Sequence, residues 1–116
     1  MLLSQFESLE HTIRVYVPST VEIIVSAAGI QDVMVKRTMT VMSTWFGGAT
    51  AYNAQGAWLS ELGLVIEQVV IVESFATTKA VTQNLQAVIE YCRSLQEEMK
   101  QEAVAMEYDN RLYLIK

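Results

Sequence analysis

The chain is expected to fold as an α+β two-layer sandwich with the element order β-α-β-β-α-β-β. Three observations predict it. Residues 12–17 alternate, Ile13, Val15 and Val17 on one side and Thr12, Arg14 and Tyr16 on the other, which is the period-two signature of a half-buried strand. Val81, Leu85, Val88, Cys92, Leu95 and Met99 recur at steps of four, three, four, three and four, the spacing that keeps one continuous stripe on a helix. Between them, residues 65–75 are apolar on both faces, interrupted only by Glu67, Gln68, Glu73 and Ser74. Such a strand belongs inside a sheet or against a partner molecule.

Each element has its own local reason. Residues 1–10 read as an arm ahead of a single domain over 11–116. Leu2, Leu3, Phe6 and Leu9 fall at near-helical spacing, which suits a short docking helix or a frayed tail. Pro18 closes the first strand. Residues 19–28 suit either a strand extension or a crossover. A helical stripe of Ile30, Val33, Met34, Val41, Met42 and Trp45 predicts a helix over 30–45, against the resistance of its β-branched valines and threonines. Gly47 and Gly48 supply the stop, because glycine takes backbone angles closed to other residues. Residues 49–58 form the next strand, with Gly56 beside Trp58 suggesting a bulge or a close backbone approach. Residues 60–63 make a turn. Thr77 or Thr78 caps the second helix through its hydroxyl. Asp109-Asn110, residues that tolerate positive φ, join the strands at 103–108 and 111–115. This order is that of a split β-α-β unit with an added strand: a ferredoxin-like sandwich, its sheet mainly antiparallel and its helices on one face.

Composition bounds the function. The 116 residues are one domain's worth, and the apolar share of 52% exceeds the usual value of about 45–50%. That surplus favours a self-associating surface, so a homo-oligomer, a dimer, is expected to cover the second face of the sheet. A net charge of -5 opposes a grip on phosphate backbones, so direct nucleic-acid binding is not expected. One cysteine cannot form an internal disulfide and suits a reducing compartment. The N-terminal segment lacks the pattern of a secretory leader, and no apolar run approaches the roughly 18 residues of a membrane span. A cytoplasmic protein without membrane attachment is the expectation.

Groups able to do chemistry are few. His11 is the only histidine and reads as an ordinary surface residue at a strand mouth. Cys92 lies in the helical stripe, where a thiol behaves as a small hydrophobe. Glu67 and Glu73 share a strand face about 20 Å apart, too far for a carboxylate pair across one bond; each is expected to pair with Arg14, Lys36 or Arg37. The glycine pair is followed by no lysine at phosphate-loop spacing. No catalytic residue, metal ligand or cofactor is therefore expected. A recognition surface has better candidates in the aromatic groups Tyr16, Trp45, Tyr52 and Trp58, with Glu67, and in the acidic helix end at Glu97 and Glu98.

Tyr16-Val17-Pro18-Ser19, the block from Phe46-Gly47-Gly48-Ala49-Thr50 to Gly56-Ala57-Trp58 followed by Glu67, and the ending Gln101-Glu102-Ala103-Val104-Ala105 together resemble a family of small, largely uncharacterised bacterial and mobile-element proteins. The resemblance runs from about residue 13 to residue 115 and implies no assigned reaction. Where relatives carry a polar loop after the first strand, this chain has apolar residues at 21–25. With the missing catalytic groups, the expectation is a non-enzymatic protein that docks onto another protein. Its sharper form is a phage- or plasmid-encoded inhibitor of the anti-CRISPR kind, its acidic face filling a basic channel. The alternative is a small-molecule-binding dimer, with a pocket between sheet and helices lined by Tyr16, Tyr52, Trp58 and Glu67.

Overall fold

The alternation at residues 12–17 becomes β1, His11–Pro18, the central strand of the molecule. The computed structural model describes residues 2–21, 25–26 and 28–116, with side chains outside 20–30. A short 3-10 turn, Leu2–Gln5, precedes β1. After it come the two-residue strands β2 (Thr20–Val21) and β3 (Val25–Ser26), paired to each other, then α1 (Ala28–Phe46). The chain continues with β4 (Thr50–Ser60), β5 (Gly63–Ala76), α2 (Thr78–Glu98), β6 (Val104–Tyr108) and β7 (Arg111–Ile115). The main sheet runs β4-β5-β1-β6-β7 with every neighbouring pair antiparallel. The predicted α+β order is present and compatible with a ferredoxin-like fold, β7 being the added edge.

Both helices lie on one face. Ile13, Val15, Val17, Val72, Val104 and Met106 point at them and are buried together with Met42, Val88, Cys92, Leu95 and Met99. The α2 stripe is the one read from its spacing, except that Leu85 is only half-buried. Thr77 caps α2, its Oγ1 accepting from the Ala80 N–H at 3.2 Å. The helix α1 tolerates its threonines because Thr38, Thr40 and Thr44 each donate to the carbonyl four residues back, at 2.7 to 2.8 Å, which satisfies the hydroxyl without leaving the helix. It begins two residues earlier than its apolar stripe suggested, Ile30 being its third residue. The apolar run at 21–25 lies outside the described side chains.

Gly47 ends α1 with φ +93, its N–H donating to the Ser43 carbonyl at 2.8 Å, as expected of a left-handed cap. Asp109 and Asn110 take φ 49 and 69, the twist a two-residue hairpin demands. One expectation fails at Gly56. Pairing passes through it without interruption, Gly56 facing Glu67, so there is no bulge. The close approach is by the Glu67 side chain, whose Cγ would lie 3.8 Å from a Cβ added at Gly56.

The β4–β5 ribbon outruns the sheet. β1 pairs only with residues 69–76 of β5, so the outer part of the hairpin has no third strand beside it, and the molecule is 53 Å long but 26 × 22 Å across. Leu59, Leu62, Leu64 and Ile66 near its tip are exposed.

Candidate functional site

Period two puts the even residues of β1 and the odd residues of β5 on the face turned away from the helices. Register then brings distant residues together, because Arg14 stands opposite Glu73 on β5 and Glu107 on β6, and Tyr52 opposite Ile71. Arg14 Nε donates to Glu73 Oε2 at 2.5 Å and Nη1 to Glu107 Oε2 at 2.7 Å. Tyr16 donates its hydroxyl to Glu107 Oε1, and the Tyr52 hydroxyl stands 3.4 Å from Glu73 Oε2. Side chains of Arg14, Glu73 and Glu107 are 15 to 23% exposed. This is a half-buried polar cluster in the middle of an open sheet face.

The partners hold one another's charge. Burial alone would lower the Arg14 pKa, but hydrogen bonds to Glu73, Glu107 and Tyr52 outweigh it and hold the guanidinium above its ordinary value. The Tyr16 phenol is pushed up to about 12, first by burial and then by its bond to Glu107. The Glu107 carboxyl is held below its usual range, chiefly by the Tyr16 hydroxyl and, against burial, by Arg14. One guanidinium between two carboxylates leaves the cluster with an excess negative charge.

Two grooves meet at Glu67, and only the second reaches the cluster, through Tyr16. One is lined by Ser19, Trp58, Val65, Glu67, Gln101 and Ala103. The other is lined by Tyr16, Pro18, Glu67, Val69, Ala105 and Leu114. The face is otherwise apolar at its margins, with Phe75, Leu112 and Leu114 exposed.

The predicted surface therefore divides. Tyr16, Tyr52, Trp58 and Glu67 do share one face, but it is the open face. The space between sheet and helices, where a pocket lined by these residues was expected, is filled by the apolar core. Trp45 belongs to the helix layer, edge-on to Phe46 and Tyr91 with ring centroids 6.4 and 6.1 Å away. Glu97 is exposed. Glu98 is tied to Arg37 at 2.9 Å, a charge pair between the helices. Glu73 has the expected pairing with Arg14. His11 is more than a surface residue: Nδ1 lies 2.7 Å from Asp109 Oδ2 and Nε2 lies 2.9 Å from Thr78 Oγ1, clamping β1 to the β6–β7 turn and the start of α2. Cys92 is buried, and burial pushes its thiol up to about 12, as an inert core group requires. Among the described residues no group of three or more His, Cys, Asp or Glu side chains could hold a metal ion.

Reading the sequence overlooked Arg14 and Glu107 as members of a site. A signal for Arg14 was present, since its parity matches Tyr16. For Glu107 there was none, because its place depends on the register of β6 against β1.

No protein-family model matches the chain, and no curated protein matches it. Two solved structures do. A phage SAM lyase in complex with S-methyl-5′-thioadenosine is 21% identical, with 96% of this chain and 95% of that chain covered and a TM-score of 0.64. A phage SAM lyase in the apo state is 24% identical, with 96% and 94% covered and the same TM-score. The likeness is one of fold. It overturns the expectation of a non-enzymatic docking protein, and with it the anti-CRISPR-like inhibitor, since both matched structures are named as those of an enzyme. No helix among the described residues is long and apolar enough to cross a membrane.

Proposed function

We propose that this chain is a lyase acting on S-adenosylmethionine and releasing S-methyl-5′-thioadenosine. The observation that carries this is the end-to-end likeness to phage SAM lyases, one of them holding that thioether. Atom balance defines the reaction. The substrate sulfonium bears a methyl, a 5′-deoxyadenosyl and an aminocarboxypropyl group; the thioether keeps the first two. The bond from sulfur to the aminocarboxypropyl chain therefore breaks, and its electron pair goes to sulfur. A lyase adds no water, so the carbon left behind is satisfied within the substrate, by its own carboxylate oxygen or by loss of a neighbouring proton.

The residues on the open face suit such a substrate. Tyr16, Tyr52 and Trp58 offer aromatic surfaces that stack with a nucleobase or face a cation. Glu67, between the two grooves, offers an acceptor for an ammonium or a ribose hydroxyl. The core on the other side of the sheet backs Tyr16 on β1, while Trp58 and Glu67 lie on the β4–β5 ribbon beyond the reach of β1.

We infer further that the working form is a homo-oligomer, with a second copy lying against this face. Phe75 is 52%, Leu112 55% and Leu114 63% exposed, and large apolar side chains exposed together on one sheet face favour burial against a partner surface.

The test is direct. Purified protein incubated with S-adenosylmethionine should release S-methyl-5′-thioadenosine, separated by liquid chromatography, with the four-carbon co-product identified by mass. A protein that leaves the substrate intact under conditions where it is folded overturns the proposal. Replacing Glu67 by Gln should lower turnover at least tenfold while the melting temperature holds.

A further inference from the structure

We propose that His11 is a proton-operated latch, which fastens the N-terminal arm to the start of α2 and releases it as pH rises. Both ring nitrogens face an oxygen: Nδ1 lies 2.7 Å from Asp109 Oδ2, and Nε2 lies 2.9 Å from Thr78 Oγ1. The Thr78 hydroxyl has one hydrogen, and it goes to Glu10 Oε1 at 2.5 Å. Towards His11 that hydroxyl can only accept, so Nε2 carries a hydrogen. Asp109 is a carboxylate, held below its usual range first by its bond to His11 and then by the Thr12 N–H. It too can only accept, so Nδ1 carries a hydrogen as well. The chain of bonds from Asp109 through His11 and Thr78 to Glu10 is therefore complete only with the imidazole doubly protonated. The remaining titratable neighbours are Glu10, whose Oε1 stands 3.9 Å from Nε2, and Tyr108 on β6, whose hydroxyl stands 3.4 Å from Nδ1. On β5 the residue paired with His11 is the uncharged Ala76.

Loss of one proton to solvent opens the chain at a defined place. If Nε2 kept its hydrogen, a bare Nδ1 would face the Asp109 carboxylate at 2.7 Å, two acceptors with nothing between them. Nδ1 keeps it instead, and Nε2 becomes an acceptor that draws the Thr78 hydrogen to itself. Glu10 then loses its donor. Asp109 stays in place, because its Oδ1 accepts from the Thr12 N–H at 2.9 Å and its own N–H donates to the Thr12 carbonyl at 3.0 Å. Only the arm is released. Histidine side chains change charge between about pH 5 and pH 8, so the latch is closed at the acid end of that range and open at the alkaline end. The arm buries little of itself, since residues 2–10 are all exposed. Its Glu7 and Leu9 form one side of a groove of about 460 Å³ that Phe46, Thr50, Glu73 and Phe75 complete. Opening the latch frees that side of the groove, whatever reaction the open face carries out.

His11 is the only histidine in the chain, so its ring resonances report the titration without overlap. Nitrogen-15 relaxation on the full chain supplies the test. Order parameters of residues 5–9 should fall from about 0.8 near pH 5.5 to below about 0.6 near pH 8. Their midpoint should coincide with that of the His11 ring, while Thr12 and Asp109 keep their order throughout. Thr78→Val retains the branched shape without the hydroxyl and should leave the arm mobile at both pH values. Thr78→Ser restores the hydroxyl and should restore the pH dependence. Thr77 still caps α2 in both variants, so their melting temperatures should stay near that of the wild type. An arm equally ordered at both pH values while the ring titrates overturns the latch, and the wild-type protein alone decides this. So does an arm that still follows pH in Thr78→Val. Loss of order at Asp109 together with the arm also overturns it, because the whole end of the sheet would then be opening.

Discussion

Arg14 shows how one residue can tie a central strand to both of its neighbours. Its two carboxylates are half-buried, so replacing it with methionine leaves them without a counter-charge, at a cost of about 2 kcal/mol once their partial exposure is allowed for. The pH dependence carries a sign. Glu107 is held below its ordinary pKa in the folded protein, so its contribution is present above the unfolded value and is lost as pH falls through the folded one. Urea unfolding from pH 7 down to pH 3 should show wild-type stability falling on acidification, and a shallower fall from a lower start in Arg14→Met. Parallel curves of equal depth would mean that the pairing contributes nothing to folding.

Among the elements, the β4–β5 hairpin and the end of α1 use glycine in different ways. Gly47 has positive φ and open space where a Cβ would go, so Gly47→Ala suffers from the backbone alone, by about 1 kcal/mol. Gly56 lies in a regular strand where a Cβ would make ordinary contact with Glu67. Gly56→Ala should leave stability unchanged or raise it by about 0.5 kcal/mol, because the unfolded chain loses freedom. Thermal melts of the two variants decide the matter, and equal losses would refute this account of Gly56. Beyond the reach of β1 the same hairpin is a two-stranded ribbon, a form of marginal stability in water.

At the scale of the molecule, the proposed self-association would cover both that ribbon and the open face. A homo-oligomer should therefore protect the outer hairpin amides from hydrogen exchange. Introducing Phe75→Glu together with Leu114→Glu should split the oligomer, as light scattering after size exclusion would show, and should accelerate exchange at residues 57–66. A wild-type monomer with a fast-exchanging hairpin would sink the proposal of self-association. The acidic balance of the whole chain adds its own preference for cationic over anionic ligands.

Much of the architecture was legible because it is local. Strand and helix periods, the Gly47 stop, the Thr77 cap and the Asp109-Asn110 turn are each written within a few residues, and the order of elements follows from them. What neighbours what is a matter of pairing across the chain. Only the tertiary structure joins Arg14 to Glu107 across a separation of 93 residues, moves Trp45 into the helix layer, ties Glu98 to Arg37, and shows the Tyr16, Tyr52, Trp58 and Glu67 group lying on the open face. The physical reason is that a shift of one residue in register turns every side chain of a strand to the opposite face, and no local pattern in β6 states which register the folded chain adopts.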